Sequence, residues 1–479
     1  MLLRKGRLGG IDSDVLEFIS SREADAWITQ ADLDVDRAHL VMLQEQGLIG
    51  PQERGLIWQA ISEIEADPNL LGEGEDVHEA IEAYVIARAG PSGGRMHTGR
   101  SRNDEVATCI RLALRGQMLG LFDELLSLES TLVELAARHA ADLVPGFTHL
   151  QHAQPTTLGH HLLAHADALH RDCQRLEDAY SRINRSPLGA AAFASTGFPI
   201  DRDRTAELLG FDGLVENSMD AVSSRDFLLE TLCALSIMMV NLSRMAEEVI
   251  LWSTQEFGYL EIDDLFASTS SIMPQKKNPD TAELVRGKTG SVIGCLVSAL
   301  ATAKALPMSY NRDLQEITPN LWRAVSIARS ALRIMDGCYQ SLRFSLARLE
   351  ESAGAGFSTA TELADSLVRV TGIPFRTAHQ IVGRLAAAGQ APNPDDLDRA
   401  GQEVAKVKPS QMGYSADMLR HALDPHGNVA VRNRPGGPAP SEVRRMVRRR
   451  RSLIRQAQKR SDQRREKAEG ALQRLRKTA

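Results

Sequence analysis

The chain has 479 residues, of which 43% are hydrophobic and 25% are charged, an ordinary globular mixture that can bury a sizeable core. Mean hydropathy is −0.23, and no uninterrupted apolar run reaches the roughly eighteen residues that a membrane span requires, so we expect none. Aromatic residues make up only 5%, while Ala and Leu are abundant. That balance favours helices over sheets.

The cysteines predict the redox environment. They are odd in number, widely spaced and without a CxxC pair: Cys109, Cys173, Cys233, Cys295 and Cys338. We therefore expect a reduced, cytoplasmic protein without a disulfide framework or a zinc ribbon. The N-terminal segment MLLRKGRLGGIDSD has no apolar core of the length typical of a secretory signal.

The net charge of −6 hides a strong asymmetry. Residues 442–479 contain fifteen Lys and Arg but only four Asp and Glu, so this tail carries +11 and the remaining chain carries −17. A tail of this kind is most often a solvated helix, and docking on the acidic body of a neighbouring subunit is one alternative. Nucleic-acid binding through its cations is a weaker hypothesis.

In chain order, residues 1–105 are predicted to form an N-terminal helical domain. Apolar residues share one face over Ile57–Ala66, and a second short helix is predicted over Val77–Ala89. The stretch 90–104, GPSGGRMHTGRSRND, is too rich in glycine and charge for a regular element. We expect a long loop there, and loops of that length are commonly functional.

Residues 106–355 are predicted to form a central bundle of long helices. Leucines recur at steps of four and three from Leu121 to Leu135, and a similar stripe runs from Leu228 to Val249. Such stripes are typical of helices packed nearly parallel to one another, and each of these two could exceed 30 residues. Further helices are predicted over 157–183, 281–306 and 319–349. Because helices of this length cannot bury their stripes in one compact chain, we expect a bundle shared between subunits.

Shorter elements follow. Residues 356–435 are predicted to form a small helical domain with helices over 360–371 and 375–388. Pro- and Gly-rich connectors occupy 389–396 and 432–441, and the second separates the body from the basic helical tail, 436–479. The whole chain is therefore predicted to be all-α.

Three segments could carry chemistry. In the segment LFASTSSIMPQKKNPD (265–280), Ser270 and Ser271 precede Lys276, Asn278 and a predicted helix start. A hydroxyl acts as a base only when nearby cations, amides or a helix N-terminus favour its deprotonation. This loop therefore suits an anionic substrate, although a solvated surface loop would have a similar composition.

The segment HTGRSRND (97–104) places Arg100 and Arg102 beside the predicted start of the first long helix. Cations are unfavourable at a helix N-terminus unless an anion arrives, so the arginines indicate a carboxylate or phosphate site. Helix capping alone would explain Asn103 and Asp104.

The third segment, PGFTHLQHAQPTT (145–157), holds Thr148 and His149 before a proline and a helix. His149 is a candidate general acid or base, and a hydrogen-bonded loop histidine is an equal alternative.

Other polar groups have weaker signals. His161 and His165 share a helix face, but a metal site would need a third ligand, so we predict ordinary helix histidines and no metal. The segments MSYNRDLQE (308–316), with Tyr310 and Gln315, and NSMDAVSSRD (217–226), ending in Arg225 and Asp226, could each be structural caps.

Taken together, these motifs resemble the argininosuccinate lyase family of the fumarase/aspartase superfamily, from about Phe18 to about Arg434. SSIMPQKKNPD looks like the family's mobile catalytic loop, and HTGRSRND, FTHLQHAQP, NSMD and YNRDLQE look like its other blocks. The resemblance implies a three-domain, all-α fold and a homotetramer with active sites shared between subunits. It also implies reversible cleavage of argininosuccinate to arginine and fumarate, a step of arginine biosynthesis and the urea cycle, without a metal or organic cofactor.

The resemblance also implies roles for individual residues. Ser270 matches the general base, His149 the residue that helps to protonate the leaving nitrogen, and Lys276 a stabiliser of the aci-carboxylate intermediate. The residues that match substrate-binding positions are Ser21, Ser101, Arg102, Asn103, Thr148, Ser271, Asn278, Tyr310 and Gln315. The sequence leaves open whether Ser270 or Ser271 is the base.

Three departures from the family pattern stand out. Thr318 occupies the position of a lysine that the family uses at the arginine end, Thr269 replaces a glycine, and RKGRL (4–8) replaces WGGRF. The tail beyond Pro440 extends past the family pattern. Rival hypotheses are a sister lyase acting on another succinyl-amine compound and a catalytically silent structural protein on this scaffold.

Overall fold

The computed structural model describes residues 9–388 and 391–478, so the departure at residues 4–8 lies outside the described residues. The N-terminal part packs around one buried helix, α3, whose residues from Ala31 to Leu43 are all buried. Val77–Ala89 has the predicted bounds, whereas the helix predicted over 57–66 begins earlier, at Pro51, a residue favoured at the first helical position, and the Gly50 amide donates to Glu53 Oε2 at 2.8 Å there. The helices are α1 Ser13–Ile19, α2 Arg22–Asp25, α3 Thr29–Glu45, α4 Pro51–Ala66 and α5 Val77–Ala89.

Long helices form the centre, as the leucine stripes predicted. The first has 37 residues and spans about 55 Å, but the second has only 27, because the chain turns into extended backbone at Ser224 before it. The helices are α6 Arg102–Arg138, α7 Leu158–Ile183, α8 Arg202–Leu208, α9 Ser218–Ser223, α10 Asp226–Trp252, α11 Asp280–Ala303, α12 Ile317–Ser341 and α13 Leu346–Ala353.

Strands are few and short, which confirms the all-α fold. A hairpin joins β1 Leu143–Thr148 to β2 Gln151–Thr157. Two-residue pairs connect β3 Leu260–Glu261 with β6 Arg343–Phe344, and β4 Ser268–Thr269 with β5 Lys277–Asn278. The pairing of β6 explains why the single helix predicted over 319–349 is divided into α12 and α13.

Residues after Ala355 form a smaller helical layer with its own hydrophobic cluster, which includes Leu363, Leu367, Ile381 and Leu397. The central helices belong to a different and larger cluster. The predicted bounds of the domains, 105/106 and 355/356, stay predictions. The helices of this layer are α14 Ala360–Thr371, α15 Phe375–Ala386, α16 Pro394–Ala405, α17 Ala416–Leu423 and α18 Pro425–Ala430.

The basic tail forms one long helix, α19 Pro440–Arg476, which packs on α6, α3, α8 and α7 of its own chain. Its apolar stripe is buried at Val443, Met446 and Val447. Ion pairs join Arg450 to Asp167 at 2.5 Å, Arg460 to Glu177 at 2.8 Å, and Arg476 to Asp34 at 2.6 Å. The tail thus docks on the acidic body of its own chain, and the alternative of docking on a neighbouring subunit is wrong for this surface.

Two central helices, α10 and α11, are long and apolar enough to cross a membrane when length and composition alone are considered, with mean hydropathies of 1.4 and 1.3 over their most apolar windows of eighteen residues. They pack against each other and against α12. The α10 window is 56% buried, as expected of a core helix, but the α11 window is only 28% buried. The two helices therefore leave apolar side chains exposed: Ile293, Val297 and Leu300 share one side of α11 by their helical spacing, and Ile237 and Val240 are the exposed apolar pair of α10. We call these five residues the open apolar face.

The docking of the tail can be tested by charging its buried stripe. We expect Val443→Asp to lower the thermal denaturation midpoint by several degrees or more, because it buries an unpaired carboxylate between α19 and α7. Arg448→Asp, on the exposed side of the same helix, is the matched control and should change the midpoint little. Equal midpoints for the two variants, measured by circular dichroism, would contradict this placement of the tail.

Candidate active site

The start of α6 is held in place by its own polar side chains. Ser101 Oγ accepts a hydrogen bond from the Asn103 amide at 3.4 Å, and Asp104 Oδ1 accepts one from the Ser101 amide at 2.9 Å. The buried Asp104 also accepts hydrogen bonds from the amides of Gly189 and Ala191. Burial raises the pKa of Asp104 to about 6, although these backbone donors oppose the shift. The cap therefore comes from Ser101 and Asp104, and the segment is fixed to residues 189–191.

The two arginines of this segment have different environments. Arg100 is fully buried and pairs with Asp36 at 2.6 Å and with Glu105 at 2.8 Å. Its charge is therefore neutralised inside the protein, and the interpretation of Arg100 as part of an anion site is wrong. Arg102 is half-buried and lies 3.0 Å from Asp76 and 3.3 Å from Glu75.

A second buried pair lies beside this network. His78 Nδ1 is 2.7 Å from Asp32 Oδ2. Burial opposes a charge on His78, but the Asp32 carboxylate raises the pKa of His78 to about 10. His39, which contacts the Thr98 carbonyl at 2.9 Å, behaves oppositely: burial and nearby Arg100 lower the pKa of His39 to about 3. One histidine is charged at neutral pH and the other is not.

Three of the predicted substrate-binding residues line one cavity: Ser21, Tyr310 and Gln315. Ser21 Oγ donates to Asp25 Oδ2 at 2.7 Å, and Gln315 Nε2 donates to the Ile19 carbonyl at 3.2 Å. Other residues that line the cavity were not predicted as site residues, among them Asp25, Asp76, His78, Arg225 and Thr318. Apart from Asp76 and His78, which are both at the start of α5, they lie on separate elements, so sequence spacing gave no signal that they meet.

His149 stands at the tip of the β1–β2 hairpin. His149 and Leu150 have φ values of 56° and 59°, as in the two-residue turns that favour glycine and asparagine. Residues other than glycine rarely adopt a positive φ, and strained backbone of this kind is concentrated at functional positions. Thr148, His149 and Leu150 are exposed, while Phe147 below them packs on Phe257. The hairpin thus presents His149 away from its own chain.

The β4–β5 pair closes the base of the loop from Ser270 to Lys276. Ser270 Oγ accepts hydrogen bonds from the Met273 amide at 3.1 Å and the Ile272 amide at 3.3 Å. Lys277 is paired with Asp264 at 2.6 Å. Among the described residues no hydrogen bond or ion pair involves the side chain of Lys276, which is exposed. The loop thus holds one serine oxygen by amides and leaves one ammonium group free.

The predicted site residues form three groups within a single chain. The first comprises the cavity and the start of α6, which are connected through Asp76, since Asp76 lines the cavity and pairs with Arg102. The second is the hairpin tip and the third is the loop. In the described part of the chain, no side-chain hydrogen bond connects one group with another, and neither the hairpin nor the loop lines the cavity.

The helix histidines have a partner that the sequence did not reveal. His161 and His165 each lie 2.7 Å from Glu248 Oε2 on α10. Burial opposes the charge on Glu248, but hydrogen bonds from both histidines lower the pKa of its carboxyl. The third side chain required for a metal site is therefore present. The three groups also satisfy one another as a hydrogen-bonded cluster, and the prediction that they bind no metal stays a prediction.

Comparisons with known proteins show the family of the chain. Residues 45–294 match the family described as Lyase, so the fold and the central helices define a lyase scaffold. Residues 357–430 match the family described as Argininosuccinate lyase C-terminal. Argininosuccinate lyase of Methanothrix thermoacetophila is 64% identical over 99% of this chain and 98% of the relative. That of Methanosarcina mazei is 54% identical over 95% of this chain and 93% of the relative.

Among solved structures, an EDDS lyase in complex with formate is 34% identical, with a TM-score of 0.88 over 94% of this chain and 90% of that one. A class II fumarase from Schistosoma mansoni is 16% identical, with a TM-score of 0.70 over 83% and 90%, and shares the fold. The chain belongs to the argininosuccinate lyase family. Because the match to the Methanothrix relative covers 99% of the chain, that relative also matches most of the basic tail, which sequence analysis placed beyond the family pattern.

The charged state of His78 predicts a pH effect on stability. A folded-state pKa of about 10, above the ordinary value of roughly 6.5, gives a contribution that is complete below that ordinary value and is lost as pH rises towards 10. We expect His78→Gln to reduce the free energy of unfolding more at pH 6.5 than at pH 9.5. The loss of unfolding free energy that the substitution causes should become smaller by up to about 1.4 kcal/mol for each pH unit between these two values.

Urea denaturation at one protein concentration measures this effect. The control is His39→Gln, which removes a histidine that is neutral in the folded protein throughout the range. Its loss of stability should differ between the two pH values by only about 0.4 kcal/mol, because the unfolded chain is half protonated at this histidine at pH 6.5. A His78→Gln deficit that does not depend on pH would show that His78 is not charged in the folded protein.

Proposed function

We propose that the protein catalyses the reversible β-elimination of argininosuccinate to arginine and fumarate. The observation that carries this proposal is the loop at Ser270, where two amides hold the serine oxygen. The same loop carries Lys276, whose side chain has no partner among the described residues, and the chain belongs to the argininosuccinate lyase family. Amide donors favour the deprotonated form of a hydroxyl. They support Ser270 as the base rather than Ser271, which is exposed and makes no side-chain hydrogen bond in the described structure.

The chemistry demands concentrated positive charge. The proton next to a carboxylate is very weakly acidic, and its removal produces a dianion that must be stabilised as it forms. We assign Ser270 as the base, Lys276 and Asn278 as the groups that stabilise the dianion, and His149 as the group that helps to protonate the leaving nitrogen. Ser101, Arg102, Asn103, Thr148 and Ser271 would hold the succinyl part.

The arginine part would occupy the cavity lined by Ser21, Tyr310 and Gln315. Its guanidinium and ammonium groups are cations, and the cavity offers two carboxyl groups, Asp25 and Asp76. Burial raises the pKa of the Asp25 carboxyl, although His78 and Ser21 oppose the shift. A ligand cation in the cavity would favour the charged form of this group.

Each active site is proposed to be shared between subunits of a homotetramer. The hairpin and the loop do not line the cavity of their own chain, so a partner's hairpin and loop would complete it. The open apolar face of α10 and α11 supports this assembly, because Val297 and Leu300, on one side of α11, are 59% and 47% exposed. Exposed apolar side chains on one side of a long helix are typical of an interface between copies.

The setting follows from the reaction. We propose a cytoplasmic enzyme of arginine biosynthesis, a reaction also used in the urea cycle, that works without a metal or organic cofactor and has the domain division 1–105, 106–355 and 356–435 followed by the tail 436–479. The tail's ion pairs with its own body favour a structural role for it over nucleic-acid binding.

A second candidate is a sister lyase for another succinyl-amine compound. Thr318 lines the cavity where the family has a lysine, and the similar EDDS lyase is named for a different substrate. Fumarate release, followed by ultraviolet absorbance, distinguishes these activities. We expect turnover with argininosuccinate and none with adenylosuccinate or EDDS, and the opposite preference would replace the proposed function with the second candidate.

The assignment of the base is tested by two adjacent variants. We expect Ser270→Ala to lose at least about 10³-fold in kcat while the assembly measured by light scattering stays intact. Ser271→Ala, the matched control, should retain far more activity. If Ser271→Ala is the more damaged of the two, the roles of the serines are reversed.

Shared active sites predict complementation between inactive variants. Ser270→Ala and Ser21→Ala each lack one required group, and we assign these groups to different chains within one site. Mixed assemblies formed by co-expression should therefore recover activity in roughly a quarter of their sites. Recovery no greater than the sum of the two separate preparations would mean that one chain supplies both groups.

A further inference from the structure

Arg225 is a buried cation without an acidic partner in residues 9–388 and 391–478. It is 4% exposed. Its Nη1 donates to two neutral carbonyls, those of Ser224 at 2.9 Å and Val222 at 3.3 Å, which lie at the end of α9. Its Nε has no hydrogen-bond partner, and no hydrogen bond is formed by Nη2. The side chain also does not cap α10, which begins at the next residue. Two of its nitrogen atoms, Nε and Nη2, therefore donate no hydrogen bond within the described residues.

A buried guanidinium in this state is unfavourable on its own. Burial lowers the pKa of Arg225 to about 10, and only the phenol of Tyr310 opposes that shift. Arg100 provides the contrast, since two carboxylates lie within 2.8 Å of its side chain. Proteins retain an unpaired buried cation at a cavity where an anion arrives with a ligand. Arg225 lines the cavity together with Ser21, Tyr310 and Gln315.

We propose that Arg225 binds the α-carboxylate of the arginine part of the substrate through its free nitrogen atoms. The proposal rests on the proposed function and assigns one end of its cavity. The family's lysine is absent, and Thr318, which stands in its place, lines the same cavity. Arg225 belongs to the segment NSMDAVSSRD, which itself resembles a block of the family, and it lines the cavity, so it can bind the carboxylate where the lysine is missing. Asp25 and Asp76 of this cavity complement the ammonium group, so the lining matches both charges of an α-amino acid.

The test compares L-arginine with agmatine, which lacks only the carboxylate. In the wild-type enzyme we expect L-arginine to bind more tightly than agmatine by about 10- to 100-fold, the range for a charge-assisted hydrogen-bonded pair. Arg225→Gln should weaken L-arginine to the level of agmatine and leave agmatine unchanged. Inhibition by fumarate should also stay unchanged, because fumarate occupies the other part of the site. A merely structural role for Arg225 would alter all three ligands together.

The matched control is Arg111→Gln. Arg111 is a buried arginine that donates to the carbonyl of Arg182 at 2.7 Å and does not line the cavity, so its variant should keep the preference for L-arginine. If Arg225→Gln does not fold, Arg225→Lys is the second variant. It keeps the positive charge but loses the planar guanidinium that can donate two parallel hydrogen bonds to a carboxylate, so L-arginine binding should weaken about tenfold. An unchanged ratio of L-arginine to agmatine affinity in a folded Arg225 variant, or equal affinities in the wild type, would overturn the proposal.

Calorimetric binding of the two ligands separates this proposal from the proposed function. Binding does not require turnover, so a wild-type protein that releases no fumarate from argininosuccinate but prefers L-arginine to agmatine through Arg225 would refute only the activity. Turnover of argininosuccinate with no role for Arg225 in that preference would refute only the carboxylate assignment.

Discussion

The length of the central helices is the constraint on which the rest of the structure depends. The sequence-based expectation that a helix of 37 residues such as α6 could not bury its apolar stripe within one chain is wrong, because the stripe from Leu121 to Leu135 is buried. The helices α7 and α12 and the tail helix α19 pack on α6, and what remains exposed is the open apolar face of α10 and α11. Association of copies through that face would bury it, and it would also bring the exposed hairpin and loop of one copy towards the cavity of another. We therefore connect assembly and catalysis through the same physical cause.

Within one chain, buried ions give the site its rigid half. Arg100, neutralised by Asp36 and Glu105, fixes the segment before α6. Asp104 fixes the start of α6 to residues 189–191 by accepting hydrogen bonds from the amides of Ser101, Gly189 and Ala191. Buried pairs of this kind are strongly destabilised when one partner is removed. The loop at Ser270 is the opposite case, because a two-residue β4–β5 pair closes its base and the side chains from Ser271 to Lys276 form no hydrogen bond or ion pair within the described residues. A rigid binding end and a loosely held base suit a reaction whose substrate must enter before the base approaches.

The sequence predicted those features that depend on local patterns. Leucine spacing predicted the long helices, and the motifs predicted that Ser21, Tyr310 and Gln315 belong to a site. The sequence failed where burial decides the outcome. Arg100 and Arg102 are two residues apart and look alike in the sequence, yet only the fold shows that Arg100 is neutralised internally. In the same way, the partnership of Glu248 with two histidines, the interruption by β6 and the docking of α19 on its own chain all depend on contacts between distant residues.

The account's central claim is that one small substrate touches groups from several chains. The most direct measurement is a crystal structure of the assembled Ser270→Ala variant with argininosuccinate bound. The account predicts one ligand in contact with residues 101–103 and the cavity of one chain, with residues 148–149 of another, and with residues 270–278 of a chain other than the one that provides the cavity. A ligand enclosed by a single chain, or hairpin and loop residues too far away to touch it in the complete assembly, would contradict the account.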